Sequence, residues 1–176
     1  YDCFIYHEQL PQFAELAAAF PNLTLVCNHA GMPLGISSYG PRTWDGPHTA
    51  AWREGITQLA AMPNVVMKLG GLGMPVAGFG FAERGKPPTS DEVAAALGEY
   101  YNFVIDAFGC DRCMWESNFP VDKASYSYTV LWNAFKKISA GRGCTEDEMA
   151  ALFSGTATRV YRLGETEAPT TVLPPL

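Results

Sequence analysis

Four short apolar runs alternate with four segments of helical period along this chain, and that alternation constrains the fold more than any other feature. The runs are Tyr1-Asp2-Cys3-Phe4-Ile5-Tyr6, Leu23 to Cys27, Val65 to Leu69 and Cys113 to Ser117. Each reads as a strand. Val65-Val66-Met67-Lys68-Leu69 is almost continuously apolar, as strands buried on both faces are. Between them, Pro11 suits a first helical turn, and Phe13, Leu16, Ala17 and Phe20 recur at helical spacing until Pro21-Asn22. Thr49 is expected to cap a helix over 50–62, with Trp52, Ile56 and Leu59 on one face, and Pro63-Asn64 to break it. Trp52 and Phe103 read as core. Thr89-Ser90-Asp91-Glu92 is a capping-box pattern opening a helix to Phe108, ended by Gly109. A fourth helix is expected over about 128–140. A second capping box, Thr145 to Glu148, opens a last helix to about Tyr161, and 164–176 reads as a mobile or surface-lying tail.

Strand–helix units at this spacing predict a parallel sheet with right-handed crossovers. Four units make half of an eight-fold (β/α)8 TIM-type barrel, which typically needs about 250 residues. A flavodoxin-like open sheet is the competing architecture. No Gly-x-Gly-x-x-Gly turn opens a helix after a strand, and Gly70-Gly71-Leu72-Gly73 precedes a loop, so a nucleotide cradle is poorly supported. Residue 1 is not Met and already lies in an apolar run, which reads as a piece of a longer chain cut near a strand.

The charge balance narrows the partners. Twelve basic against eighteen acidic residues give a net charge of −6, with no basic block, which argues against nucleic acid. No run approaches the roughly 18 apolar residues of a membrane span, so no membrane partner is expected. The five cysteines, Cys3, Cys27, Cys110, Cys113 and Cys144, are odd in number and mostly sit in apolar runs, which suggests reduced thiols and a cytoplasmic location. Cys110-x-x-Cys113 precedes a strand and lacks a second pair, so it reads as structural.

In α/β proteins chemistry collects at the carboxyl ends of strands. Two strand ends here carry it. One is Asn28-His29-Ala30-Gly31. An imidazole there can ligate a metal or move a proton near neutral pH. The other is Glu116-Ser117-Asn118-Phe119-Pro120-Val121-Asp122-Lys123. Asn118 is no general base, but its amide can donate to a developing oxyanion. Glu116 and Asp122 are the nearest carboxylates, and one of them could orient water or a His. The bland alternative pairs Glu116 with Arg112 or Lys123 and has Asp122 cap the next helix. Lys68 is a lone cation in an apolar strand. It either points inward to attract a carboxylate or polarise a carbonyl, or snorkels to solvent. His7 is placed like His29. Arg42, Arg84 and Lys86 lie on two long loops, 32–48 and 74–88, and either bind an anionic substrate or are solvated.

Those residues carry a resemblance. Tyr6-His7-Glu8-Gln9-Leu10-Pro11, Val26 to Gly31, Pro63 to Leu72, Arg112 to Lys123 and Leu152 to Tyr161 match, in order and spacing, pieces of the amidohydrolase-related family (amidohydrolase 2, TIM-barrel metal-dependent hydrolases). The chain resembles its C-terminal part over residues 1–163. The resemblance implies a barrel hydrolysing C–O or C–N bonds, often in lactones, with some relatives decarboxylating acids by means of a metal. Together with the residues themselves it leads to an expectation of water activated near His29 with help from Glu116 or Asp122, of Asn118 and Lys68 stabilising charge on the carbonyl oxygen, and of substrate contacts at His7, Lys68 and Arg84. His29 matches the family's later His and is its metal ligand where a divalent ion, zinc or manganese, is bound. The family's His-x-His pair has no counterpart here, and Asn118 stands where the family has Asp, which leaves a metal-independent mechanism open. A small-molecule substrate with a carboxylate or carbonyl group is expected, and self-association into a homo-oligomer is left open. The alternative from another class is a non-catalytic fragment or degenerate barrel that only binds a ligand or partner.

Overall fold

The computed structural model describes residues 1–164. Four strands, β1 (Asp2–Cys3), β2 (Leu25–Cys27), β3 (Val65–Leu69) and β4 (Cys113–Trp115), form one sheet in sequential order, every neighbouring pair parallel. The helices between them are α1 (Leu10–Ala19), α2 (Pro47–Ala60) and α3 (Ser90–Phe108), and α4 (Tyr128–Gly141) follows β4. Sequential order is what a barrel segment requires. A doubly wound sheet reverses direction at its switch point, so the flavodoxin-like alternative does not describe this chain.

The period of two along the strands sorts the side chains. Leu25, Cys27, Val65, Met67, Leu69, Cys113 and Trp115 join the main core under the helices. Val26, Val66 and Met114 form a separate small cluster on the opposite face. That second face is covered by Ala157 and Val160 of α6 (Thr156–Tyr161). The same alternation puts Asp2 and Lys68 on this inner face. The apolar run of β3 is explained by this arrangement: both of its faces are covered.

Several boundaries differ from the sequence expectation. β1 covers only Asp2–Cys3 of the run 1–6, because it pairs on one side alone. α2 starts at Pro47 with Gly46 as its cap; Thr49 lies inside the helix and donates its hydroxyl to the Thr43 carbonyl (2.8 Å). Both predicted capping boxes form, Thr89 with Glu92 and Thr145 with Glu148. The last helix is not uniform. α5 (Glu146–Ala150) widens into a π turn at Ala151–Gly155 before α6. All five cysteines are free thiols, and burial pushes Cys27 and Cys113 up strongly and Cys110 to about 11. All but Gly164 of the tail expected over 164–176 lies outside the described residues. No helix among the described residues is long and apolar enough to cross a membrane.

Arg42 ties the two long loops together. Its Nη2 donates to the Pro33 carbonyl (2.5 Å) and to the Ala77 carbonyl, one from each loop. Its guanidinium lies 4.6 Å from the Phe79 ring and 5.1 Å from the Tyr100 ring. It is turned inward, so it is not a solvated loop charge. A lysine carries no planar fork to bond carbonyls and stack at once. Arg42→Lys is therefore expected to destabilise the chain by about 2 kcal/mol and to speed proteolytic cleavage within 32–48 and 74–88. Unchanged urea midpoint and cleavage rate would contradict the clamp.

Candidate active site

The carboxyl ends of β2, β3 and β4 meet around one imidazole. β2 leads through Asn28 into a tight turn at His29–Gly31. His29, Ala30, Gly31 and Met32 all have positive φ (58°, 53°, 63° and 21°). Three of these are not glycine, and such backbone persists only where the surroundings hold it. One hold is visible: Trp52, fully buried on α2, donates its indole N–H to the Ala30 carbonyl at 2.8 Å. Trp52 is therefore core, and it also fixes the turn that presents His29.

Glu116 reaches His29 from the end of β4. Its Oε1 is 2.5 Å from His29 Nδ1 and also accepts the His29 backbone N–H at 3.2 Å. Both side chains are mostly shielded, 12% and 17% exposed. A carboxylate at Nδ1 places the ring proton there and leaves the lone pair on Nε2. The Phe4 ring packs edge-on against the imidazole, with centroids 4.9 Å apart. Arg112 does not pair with Glu116; it donates to the carbonyls of Phe108, Ala60 and Met62.

The glycine run after β3 makes room for this pair. A Cβ on Gly70 would lie 2.3 Å from both Cγ and the carbonyl oxygen of Glu116. Gly71 has φ +71°, and a Cβ there would lie 2.5 Å from His29 Nδ1. The run is thus a floor against which the His29–Glu116 pair lies flat. These glycines serve the site rather than a nucleotide cradle. Their position at a strand end, beside two other strand ends bearing chemistry, was the available signal.

Asn118 and Asp122 form a second, deeper unit. Asp122 is completely buried and takes three donors: Asn118 Nδ2 at 2.7 Å, Gly73 N at 3.2 Å and Tyr126 Oη at 3.0 Å. Burial raises its pKa, and the three hydrogen bonds oppose that rise. Asn118 adopts φ +52°, which asparagine tolerates better than most residues. Its amide suits the position: a carboxylate at 118 would face the buried Asp122 carboxylate across a partly buried contact. Asp122 does not cap α4; Ser127 does, accepting from Val130 N.

The remaining predicted residues lie as follows. Lys68 bonds Asp2 at 2.7 Å on the inner face, and Tyr161 donates to the same Asp2 oxygen at 2.5 Å. Burial works against the Lys68 charge, but its hydrogen bonds outweigh that and its pKa is raised. His7 is buried beside Tyr39 and His48, and its Nδ1 accepts the Leu34 N–H at 3.2 Å. Burial lowers its pKa. It lines a cleft of about 330 Å³ with Glu8, His48 and Glu54. Arg84 bonds Glu92 at 3.0 Å and lies over Phe81, at the start of α3. The structure brings together His29 with Glu116, and Asn118 with Asp122.

Comparison with known proteins fits this layout. A family model described as Amidohydrolase matches residues 2–163. The chain belongs to the amidohydrolase family. It is 38% identical over 93% of its length to the uncharacterised protein y4mH of Sinorhizobium fredii, of which it covers 47%. It is 32% identical over 94% of its length to an L-fucono-1,5-lactonase of Burkholderia multivorans, of which it covers 52%. Among solved structures, an amidohydrolase from Burkholderia multivorans with bound zinc superposes with a TM-score of 0.71 at 28% identity. The match covers 92% of this chain and 52% of that one. A second crystal form of a Burkholderia multivorans amidohydrolase, with bound HEPES, gives 0.74 at 29% identity and the same coverage. The chain thus spans about half the length of the curated relatives it matches, and its four units correspond to half of their barrel.

Two substitutions probe the site. Gly71→Ala is expected to push the imidazole aside and lower kcat roughly 100-fold, since misplacement of about 1 Å can cost that much, with the circular dichroism spectrum retained. Wild-type kcat would contradict the floor. Asp122→Ala orphans three donors and is expected to cost about 3–5 kcal/mol in urea unfolding. A cost under about 1 kcal/mol, the net worth of one ordinary hydrogen bond, would contradict the buried anchor.

Proposed function

We propose that the full-length protein is a hydrolase of the lactonase kind, and that this chain supplies its proton-transfer pair, His29 and Glu116. The observation that carries the reading is the 2.5 Å contact between His29 Nδ1 and Glu116, with 32% identity to a named L-fucono-1,5-lactonase in support. Nε2 takes a proton from water as that water attacks a lactone carbonyl. Glu116 keeps the reactive tautomer in place and stabilises the imidazolium that forms. The imidazolium then returns the proton to the leaving oxygen as the ring opens. Asn118 keeps an N–H beyond the one given to Asp122 for the developing oxyanion, while Lys68, paired with Asp2, keeps N–H groups that face the barrel interior for a substrate carbonyl or carboxylate. Asp122 acts by holding Asn118 and the Gly73 backbone rather than as a base. A substrate with a carbonyl beside hydroxyl or carboxylate groups suits such a polar mouth.

A divalent ion bound within this chain alone does not fit the donor set. His29 Nε2 is one good ligand, with the carboxylate partner that metal-binding histidines commonly have. The Asp122 oxygens are taken by three donors, and Asn118 offers an amide. Among the described residues, no group of three His, Cys, Asp or Glu ligand atoms gathers at this end of the sheet. No step here runs through a metal.

The test is hydrolysis of L-fucono-1,5-lactone and a panel of small lactones by the full-length protein. His29→Ala is expected to lower kcat by 10²–10⁴-fold with KM changed little, the usual worth of a positioned base. Equal rates in wild type and His29→Ala would remove His29 from the mechanism. Carbon dioxide release from acid substrates, with no lactone turnover, would favour the decarboxylase reading instead.

A further inference from the structure

A second cluster of ligand-type side chains lies at the opposite end of the sheet. Cys110 sits in the 3₁₀ turn Cys110–Arg112 that leads into β4, whereas Glu116 leaves that strand at its other end. Cys144 lies between α4 and α5, just before the Thr145 cap, and Glu148 is in the first turn of α5. One ligand atom from each of Cys110, Cys144 and Glu148 lies within 4.8 Å of the other two. The Cys110-x-x-Cys113 spacing is therefore misleading. Cys113 points into the core under the helices, and the spatial partner of Cys110 comes from 34 residues further on.

We propose that Cys110, Cys144 and Glu148 bind a thiophilic divalent cation of the zinc class, with water in the fourth position. Two thiolates and a carboxylate are a zinc-type donor set, and three protein ligands with an open position is a known arrangement. Zinc–sulfur bonds of about 2.3 Å in a tetrahedron put two sulfurs about 3.8 Å apart. Closing from 4.8 Å or less needs only small side-chain rotations. The backbone at each corner is already held. Thr156 donates its hydroxyl to the Cys110 carbonyl at 3.4 Å, the Cys144 N–H bonds the Ser139 carbonyl at 3.1 Å, and Glu148 is pinned by its capping box, Thr145 N to Oε2 at 2.8 Å. Arg142, two residues before Cys144 and bonded to Asp106 at 2.5 Å, favours the ionised forms of Cys110 and Glu148.

The carboxylate that converges on the two thiols completes a three-ligand donor set. Such a cation would join two connections, α3–β4 and α4–α5, to the first turn of α5, and so staple the base of the sheet. It is remote from His29 and shares no ligand with the site there.

The experiment is titration of the reduced full-length protein with cobalt(II), followed by thiolate-to-cobalt charge-transfer absorption in the near ultraviolet. The pair at His29 contains no sulfur, so a band that His29→Ala keeps and Cys144→Ser loses reports the thiol cluster. Wild type and His29→Ala should both develop the band at one equivalent. Cys144→Ser, a partly exposed position, should lose it while keeping the fold by circular dichroism. Cys110→Ser should behave alike, and Glu148→Gln should weaken cobalt binding at least 10-fold. Zinc should also protect Cys110 and Cys144 together from alkylation, read by mass spectrometry. Absence of the band at saturating cobalt, or a band unchanged in Cys144→Ser, would overturn the proposal. So would alkylation at Cys110 and Cys144 that zinc leaves unchanged.

Discussion

The contact between His29 Nδ1 and Glu116 Oε1 is the interaction on which the arrangement of this chain depends. It joins the second strand end to the fourth, across the third, and it forms only because the parallel strands β2, β3 and β4 end at matching levels. The intervening strand has to contribute nothing bulky there. Gly70 and Gly71 meet that demand: a methyl group on either would occupy the space of the pair. The positive-φ backbone from His29 to Met32 is a further cost of aiming the imidazole at Glu116. The buried Trp52 indole offsets part of it through the Ala30 carbonyl.

The two ends of the sheet divide their labour. At the carboxyl end, polar groups are held apart in two units: a shielded but accessible imidazole–carboxylate pair, and a sealed carboxylate at Asp122 that three donors satisfy. The second unit keeps the loop after β4 in register, and Asn118 is chosen to suit it. Where an acid would set two carboxylates against each other in a partly buried contact, an amide donates. At the amino end, α6 covers the inner face through Ala157 and Val160, and Thr156 anchors to the turn before β4. The Lys68–Asp2–Tyr161 cluster, on the inner face between the two ends, joins β3, β1 and α6.

Much of this was legible in the residues themselves, for local reasons. β3 was read as Val65 to Leu69 and is Val65–Leu69, because a strand covered on both faces has an unbroken apolar signature. The capping boxes at Thr89 and Thr145 were legible because a cap is decided within four residues. Thr49 was misread because the preceding Gly46-Pro47 starts the helix first, and proline at a first turn competes with threonine as a start signal. The π turn at Ala151–Gly155 leaves the apolar period intact and gives no signal in the chain. At the site, His29, Glu116, Asn118 and Asp122 were each marked by residue type and strand-end position. Which of the two carboxylates pairs with His29 was not. Glu116 and His29 are 87 positions apart, and only the register of the sheet makes them neighbours. Arg42 shows the same limit: nothing in a Gly/Pro-rich loop says that its guanidinium turns inward onto two carbonyls and two rings.

The central claim is that His29 and Glu116 act as one unit, and a double-mutant cycle on kcat/KM for lactone hydrolysis by the full-length protein tests it most directly. Residues that serve one chemical step are non-additive, because once the base is gone its orienting partner has nothing to orient. The cycle compares wild type, His29→Ala, Glu116→Gln and the double variant. The account predicts that the double variant is no slower than His29→Ala alone, within about a factor of three. Fully additive losses, with the double variant slower by the product of the single effects, would contradict it.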